Sequence, residues 1–250
     1  MDRAIIKSQA KALLRAKRKP ILTVSGLFML LALVFSYLSL RLTFPPMKQF
    51  MEISDSFASL LLAGDFSTAN KLMDTIQPSL PETIVTDLLS YLLAVVSFGY
   101  LIFLLHALRG EETAIGLLLD GFGSWIKVLL LELLTRLIVT LGFWALVFPG
   151  FLALYNYRMA RYILITNPDY GVIDCLRESR LRMRGHRMEL FELDLSFLGW
   201  ALLFALPLVG FFAAIWVLPY WKTSCLLKFE ALVASQPAPA RPDQDEDNYF

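Results

Sequence analysis

The chain has 250 residues, 57% of them hydrophobic and only 18% charged, with 23 lysines and arginines against 22 aspartates and glutamates. Soluble globular domains carry about a quarter charged residues, so this composition argues against one, and the net charge of +1 argues against a nucleic-acid binder. Two cysteines, Cys175 and Cys225, and two histidines support neither a disulfide framework nor a Cys/His metal site, and both thiols are expected free.

Several apolar runs approach the ~20 residues that span a bilayer core, and they are continuous rather than alternating. In lipid each segment must satisfy its own backbone polar groups. The expected fold class is therefore all-α: a polytopic transmembrane helical bundle of about six spans with cytoplasmic amphipathic helices.

Residues 1–20 predict a basic amphipathic helix. Lys7, Lys11, Arg15 and Arg18 recur at helical spacing beside an apolar stripe of Ile6, Ala10 and Leu13, a pattern suited to a membrane surface. The first span, 21–40, is too long for the core of a secretory signal and lacks a small-residue cleavage site. An extracytoplasmic loop is expected over 43–82, with Pro45, Pro46, Pro78 and Pro81 as breakers and short helices at 53–62 and 68–76. In it Glu52, Asp55, Asp65, Asp74 and Glu82 outnumber Lys48 and Lys71. The loop reads either as a plain connector or as a surface for a membrane-protein partner.

The second span is 84–108, with Asp87 near its outer end and a neutral, hydrogen-bonded His106 near its inner end. The third, 125–148, places Glu132, Thr135, Arg136 and Thr140 on one face, which cannot point at lipid without large cost. Pro149-Gly150 is read as a hairpin turn, making 151–166 a short fourth span with Arg158 and Arg161 on one face. A chain continuing outward there would put Arg177, Arg180, Arg182, Arg184 and Arg187 outside, against the positive-inside rule.

Beyond Asn167-Pro168-Asp169 a helix is expected over 170–184. Val172, Cys175, Leu176, Ser179 and Met183 form one stripe, and Arg177, Arg180 and Arg184 run along one flank. In a cytoplasmic interface these arginines and Arg187 are candidate contacts for anionic lipid headgroups; the alternative is that the helix packs on the protein's own loops. The fifth span, 188–206, has Glu189, Glu192, Ser196 and Gly199 on one face. Pro207 to Gly210 is read as a turn, and 211–233 as a sixth span kinked at Pro219, with Lys222 and Lys228 snorkelling inward. Residues 234–250 read as a disordered acidic tail, which leaves 21–233 as a single bundle. The seven basic residues before Ile21 place both termini in the cytoplasm.

The sequence contains no phosphate-binding loop, dinucleotide fingerprint, zincin motif or nucleophile elbow, so neither an enzyme nor a cofactor is expected, and no catalytic or metal-binding residue is assigned. What remains is an intramembrane charged constellation of Glu132, Arg136, Arg158, Arg161, Glu192 and Asp194. Arg158 should pair with Glu132 or Glu192. The constellation reads either as a structural network locking helices together or as a hydrated site for an anionic substrate or lipid headgroup.

Trp144, Pro149-Gly150, Tyr157-Arg158-Met159-Ala160, Asn167-Pro168, Gly185-His186 and the block from Leu193 to Trp200 (LDLSFLGW) carry a resemblance. On these residues the chain resembles the bacterial integral membrane family called domain of unknown function 975. Arg187 stands where relatives often have lysine. The resemblance implies a bundle in the bacterial cytoplasmic membrane and supplies no assigned catalytic residues. The function expected is a non-enzymatic membrane scaffold or partner-binding protein in contact with lipid. The alternative is a transporter or lipid-binding protein that uses the charged cavity.

Overall fold

Apolar runs with few helix breakers fold here as helices, and the computed structural model shows no strand among the residues it describes, 3–43, 47–74, 79–201 and 207–236. In chain order these are α1 (Arg3–Ala16), α2 (Arg18–Thr43), α3 (Met47–Leu62), α4 (Phe66–Asp74) and α5 (Leu80–Arg109). Two short 3-10 helices follow, Ile115–Leu118 and Asp120–Ser124, then α6 (Trp125–Ala145), α7 (Val147–Asn156) and α8 (Ala160–Thr166). The last are α9 (Val172–Arg182), α10 (Arg187–Leu195), α11 (Leu198–Ala201) and α12 (Pro207–Ser235). The chain divides into two compact units, Met1–Met29 with Ala94–Phe250, and Leu30–Leu93.

Among the described residues, three segments are long and apolar enough to cross a membrane: Arg18–Thr43, Leu80–Arg109 and Ile115–Ala145. On α6, Ile126, Leu130, Leu133, Leu137 and Leu141 recur at helical spacing and are all exposed, an apolar outer face unlike that of a water-soluble helix.

The other expected spans are not single helices of that kind. The segment 151–166 is broken at Tyr157 to Met159, between α7 and α8. That turn carries Arg158 onto a carboxylate, and the backbone stays satisfied because Tyr157 N–H donates to Ala153 O and Ala160 N–H to Tyr157 O. The segment 188–206 is likewise interrupted at Ser196 and Phe197, between α10 and α11; residues 202–206 lie outside the described residues. Here the Lys7 ammonium donates to the Ser196 carbonyl at 3.2 Å and sits 4.5 Å from the Phe197 ring centroid, while that ring packs edge-on against Tyr220. An outside donor thus takes over a carbonyl freed by the helix break.

The α6–α7 hairpin exists, but Pro149-Gly150 is not its turn. The chain reverses at Leu146, which is extended, and Pro149 sits in the first turn of α7, where its missing N–H costs nothing. Gly142 and Gly150 meet across the hairpin: a Cβ on Gly142 would lie 3.0 Å from the Gly150 Cα. The expected turn at Pro207 to Gly210 is instead the first turn of α12, with proline at its opening position, and α12 runs as one helix through Pro219.

The amphipathic stripes cover protein rather than a membrane surface. Ile6 and Ala10, with Leu14 rather than Leu13, are fully buried on α1, which packs on α12. On α9, Cys175, Leu176 and Ser179 are buried, as is Met183 just past its end; α9 packs against α6, α7 and α8, and Ser179 Oγ donates to Asn156 O at 2.7 Å. An apolar stripe suits lipid or another helix equally, and intramolecular packing takes it here. Lys228 does not snorkel; it is 3% exposed and pairs with Glu189, which also meets His186 at 2.8 Å.

Two glycines set the α5 packing. A Cβ on Gly99 would fall 2.1 Å from the Leu118 carbonyl oxygen, and one on Gly121 would fall 2.4 Å from Val95 O. Next to Gly99, the buried Tyr100 bonds Ser25 at 2.8 Å and stacks on Phe28.

In the unit Leu30–Leu93, α3 begins earlier than the short helix expected at 53–62, and α3 packs with α4. Asp65 caps α4 by accepting from the Thr68 amide at 3.1 Å and from its hydroxyl; these bonds hold its carboxyl below the usual range. Pro45, Pro46 and Pro78 lie outside the described residues. So does the acidic tail from residue 237 onward, while Ala234 and Ser235 still belong to α12.

Candidate functional site: a charged cavity at two helix breaks

Arg158 sits in the turn between α7 and α8, and Asp194 in the last turn of α10, so both members of the central ion pair stand at helix interruptions. The Arg158 guanidinium forks onto both oxygens of Asp194. Tyr155 Oη donates to Asp194 Oδ2 at 3.1 Å and Trp221 Nε1 to Oδ1 at 2.8 Å. A carboxylate near a helix C-terminus meets an unfavourable dipole, and four donors offset that cost. The guanidinium also lies over the Trp221 ring, 5.1 Å from its centroid, and over Tyr155 at 5.7 Å.

Glu132 on α6 is the second carboxylate. It accepts from Arg136 one turn along the same helix at 2.9 Å and from Arg161 on α8. Between these pairs lies a cavity of about 470 Å³. Leu101, Val139, Leu154, Leu226 and Phe229 supply apolar wall, and Tyr157, Tyr162 and Trp221 aromatic wall. Its charged lining is Arg158, Arg161 and Lys222 against Glu132 and Asp194, one positive charge in excess. Among the described residues, no group of three His, Cys, Asp or Glu side chains is placed to hold a metal ion.

Four of the six residues singled out from the sequence thus line this space: Glu132, Arg158, Arg161 and Asp194. Arg136 supports from behind, bonded to Glu132 while half exposed. Glu192 does not join; it faces away and pairs at 3.6 Å with Arg3, both about half exposed. The partner of Arg158 is Asp194, neither Glu132 nor Glu192, because the helix break after Leu195 brings Asp194 rather than Glu192 up to α7. Tyr155, Trp221, Lys222 and Cys225 complete the site and were missed. Lys222 and Cys225, three apart and so on one face of α12, were a legible signal that the snorkelling expectation hid.

Of the expected headgroup contacts, Arg177 and Arg180 on α9 and Arg184 in the turn after it are exposed. Arg187, at the start of α10, is half-buried and stands apart from them. Arg182 turns inward to a buried pair with Glu178 at 2.7 Å.

A family described as protein of unknown function (DUF975) matches residues 1–236. The chain belongs to the DUF975 family. No curated protein and no solved structure matches it. The match covers the elements of this DUF975 site, from Glu132 on α6 to Cys225 on α12.

Proposed function

We propose that this is a non-enzymatic, multi-pass protein of the bacterial cytoplasmic membrane whose charged cavity holds an anionic amphiphile. The observation that carries this reading is the cavity itself: apolar and aromatic walls, with one cationic charge in excess. Its size falls within the ~300–1,000 Å³ common for small-molecule sites. Six passes are proposed, formed by α2, α5, α6, the broken pair α7–α8, the broken pair α10–α11, and α12. Val147 to Thr166 extends about 30 Å at ~1.5 Å per residue, enough to cross despite its turn. Both termini and the α9 arginines then lie in the cytoplasm, where Arg177, Arg180 and Arg184 meet anionic headgroups. Interrupted helices that meet at charge are also a feature of transporters, which supports a ligand site at this depth.

The test is mass spectrometry of the full chain extracted gently from native membranes. An anionic amphiphile should remain with it through delipidation at near one per protein. Retention of neutral lipid alone, or of none, would count against the reading.

A second reading is favoured by one observation: Asp194 is bonded by four donors of the protein itself, as a structural lock would be. The protein would then act as a membrane scaffold for a partner protein. Crosslinking in native membranes should in that case recover a partner in fixed ratio, whereas homo-oligomers alone would argue against it.

A further inference from the structure

Both carboxylates of the cavity are occupied by donors of the chain, Asp194 by Arg158, Tyr155 and Trp221, and Glu132 by Arg136 and Arg161. Lys222 differs. Its ammonium lines the same cavity, stands 4.9 Å from the Trp221 ring centroid, and makes no hydrogen bond or ion pair among the described residues. A lysine held against apolar wall with no acceptor bonded to it is costly, and such a residue is a site candidate in its own right. Arg161 faces the same space with donors to spare, because a guanidinium has five N–H groups and Glu132 takes one of its nitrogens. The two side chains come from different elements, α8 and α12, so the fold brings them to one cavity.

We infer that Lys222 and Arg161 bind the phosphate group of a ligand whose net charge is a single negative one, and that Lys222 is the residue that selects for that net charge. This rests on the cavity being a ligand site. The cation count sets the charge: with Glu132 and Asp194 neutralising two of the three cations, one remains. The donor set points to phosphate rather than carboxylate. An ammonium and a guanidinium from separate helices approach from different directions, which suits oxygens spread over a tetrahedron better than two in a plane. A phosphodiester headgroup and free phosphate share this chemistry. Leu154, Leu226 and Phe229 offer apolar wall to a lipid tail and nothing to the free ion.

The experiment places the full chain in detergent micelles and measures bound lipid by native mass spectrometry, with folding followed by thermal melting. The probes are phosphatidylglycerol, phosphatidylcholine and inorganic phosphate. Wild type should bind phosphatidylglycerol in preference to phosphatidylcholine, and the preference should weaken with salt. Lys222→Met should lower that preference about tenfold, the worth of one charge-assisted hydrogen bond, while Lys222→Arg keeps it. Lys222→Gln serves as a second neutral variant, and the salt dependence of wild type reads the charge without any variant. Binding of inorganic phosphate alone, lost in Lys222→Met, supports the same pair with the free ion as its source. If wild type prefers phosphatidylglycerol and folded Lys222→Met keeps the preference unchanged, the role of Lys222 is overturned while the cavity reading survives. If wild type binds no probe above phosphatidylcholine, both fall.

Discussion

Removing the Arg158 guanidinium would leave Asp194 with Tyr155 and Trp221 as donors and no counter-charge bonded to it. Breaking one side of a buried pair costs roughly 3–5 kcal/mol in soluble proteins. The two side chains here keep 21% and 19% exposure, and water defects relieve charge in membranes, so about 2–3 kcal/mol is expected for Arg158→Ala. Thermal melting in detergent should show that loss, and Asp194→Ala added to it should restore part. Additive losses in the double variant would mean that the two do not act as a pair. Cys175 is a different kind of residue. Burial pushes its thiol up to about 11, with Glu178 and Asp174 adding to the effect. Folding then favours the neutral thiol: its contribution is complete below the ordinary thiol range near ~8.5 and is lost as pH rises toward the folded value. Melting temperature should therefore fall between about pH 8.5 and 11 in wild type more than in Cys175→Ala. Equal slopes would place the titration elsewhere.

The α5 helix and the two 3-10 turns before α6 touch backbone to backbone, and glycine is what permits it. Gly99→Ala would put a methyl group against the Leu118 carbonyl, which has no side-chain rotation by which to yield. Overpacking commonly costs ~1–3 kcal/mol, and a backbone clash should reach the top of that range. Gly116→Ala meets open space and should be neutral. Thermal melting of the two variants separates them; equal stability would mean α5 can shift away. Elements were largely legible in the sequence because hydrophobic runs and helix propensity are local. The exceptions are instructive. Tyr157 to Met159 contains no helix breaker, yet the helix stops there because the ion pair of Arg158 with Asp194 and the continued backbone bonds make the turn worthwhile. Pro149 looks like a break and is not one, since the first turn of a helix does not use its N–H.

For the whole molecule the decisive question is which side of the membrane each segment meets. Ser179 would be a poor labelling site, since it is buried against the Asn156 carbonyl. Ser56 and Arg180 are both exposed, and the native thiols Cys175 and Cys225 are buried and so give little background. With six passes, a cysteine at Ser56 should react with an impermeant maleimide on intact cells, and one at Arg180 only after lysis. Labelling at Arg180 from outside would break the six-pass reading at the α6–α7 hairpin.

Helical character, the places of the apolar runs, the doubling back after α6 and the charged set of Glu132, Arg136, Arg158, Arg161, Glu192 and Asp194 were all legible in the sequence, and four of those six line the cavity. These follow from local composition, from the positive-inside rule and from the cost of charge near lipid. Which carboxylate Arg158 takes was a matter of packing in three dimensions, because the choice depends on where α10 ends against α7. Packing likewise decided that the stripes of α1 and α9 face protein, since a stripe records an apolar neighbour without saying which one. Lys222 shows the same limit: its charge is plain in the sequence, but that no acceptor among the described residues is bonded to it is a property of six packed elements.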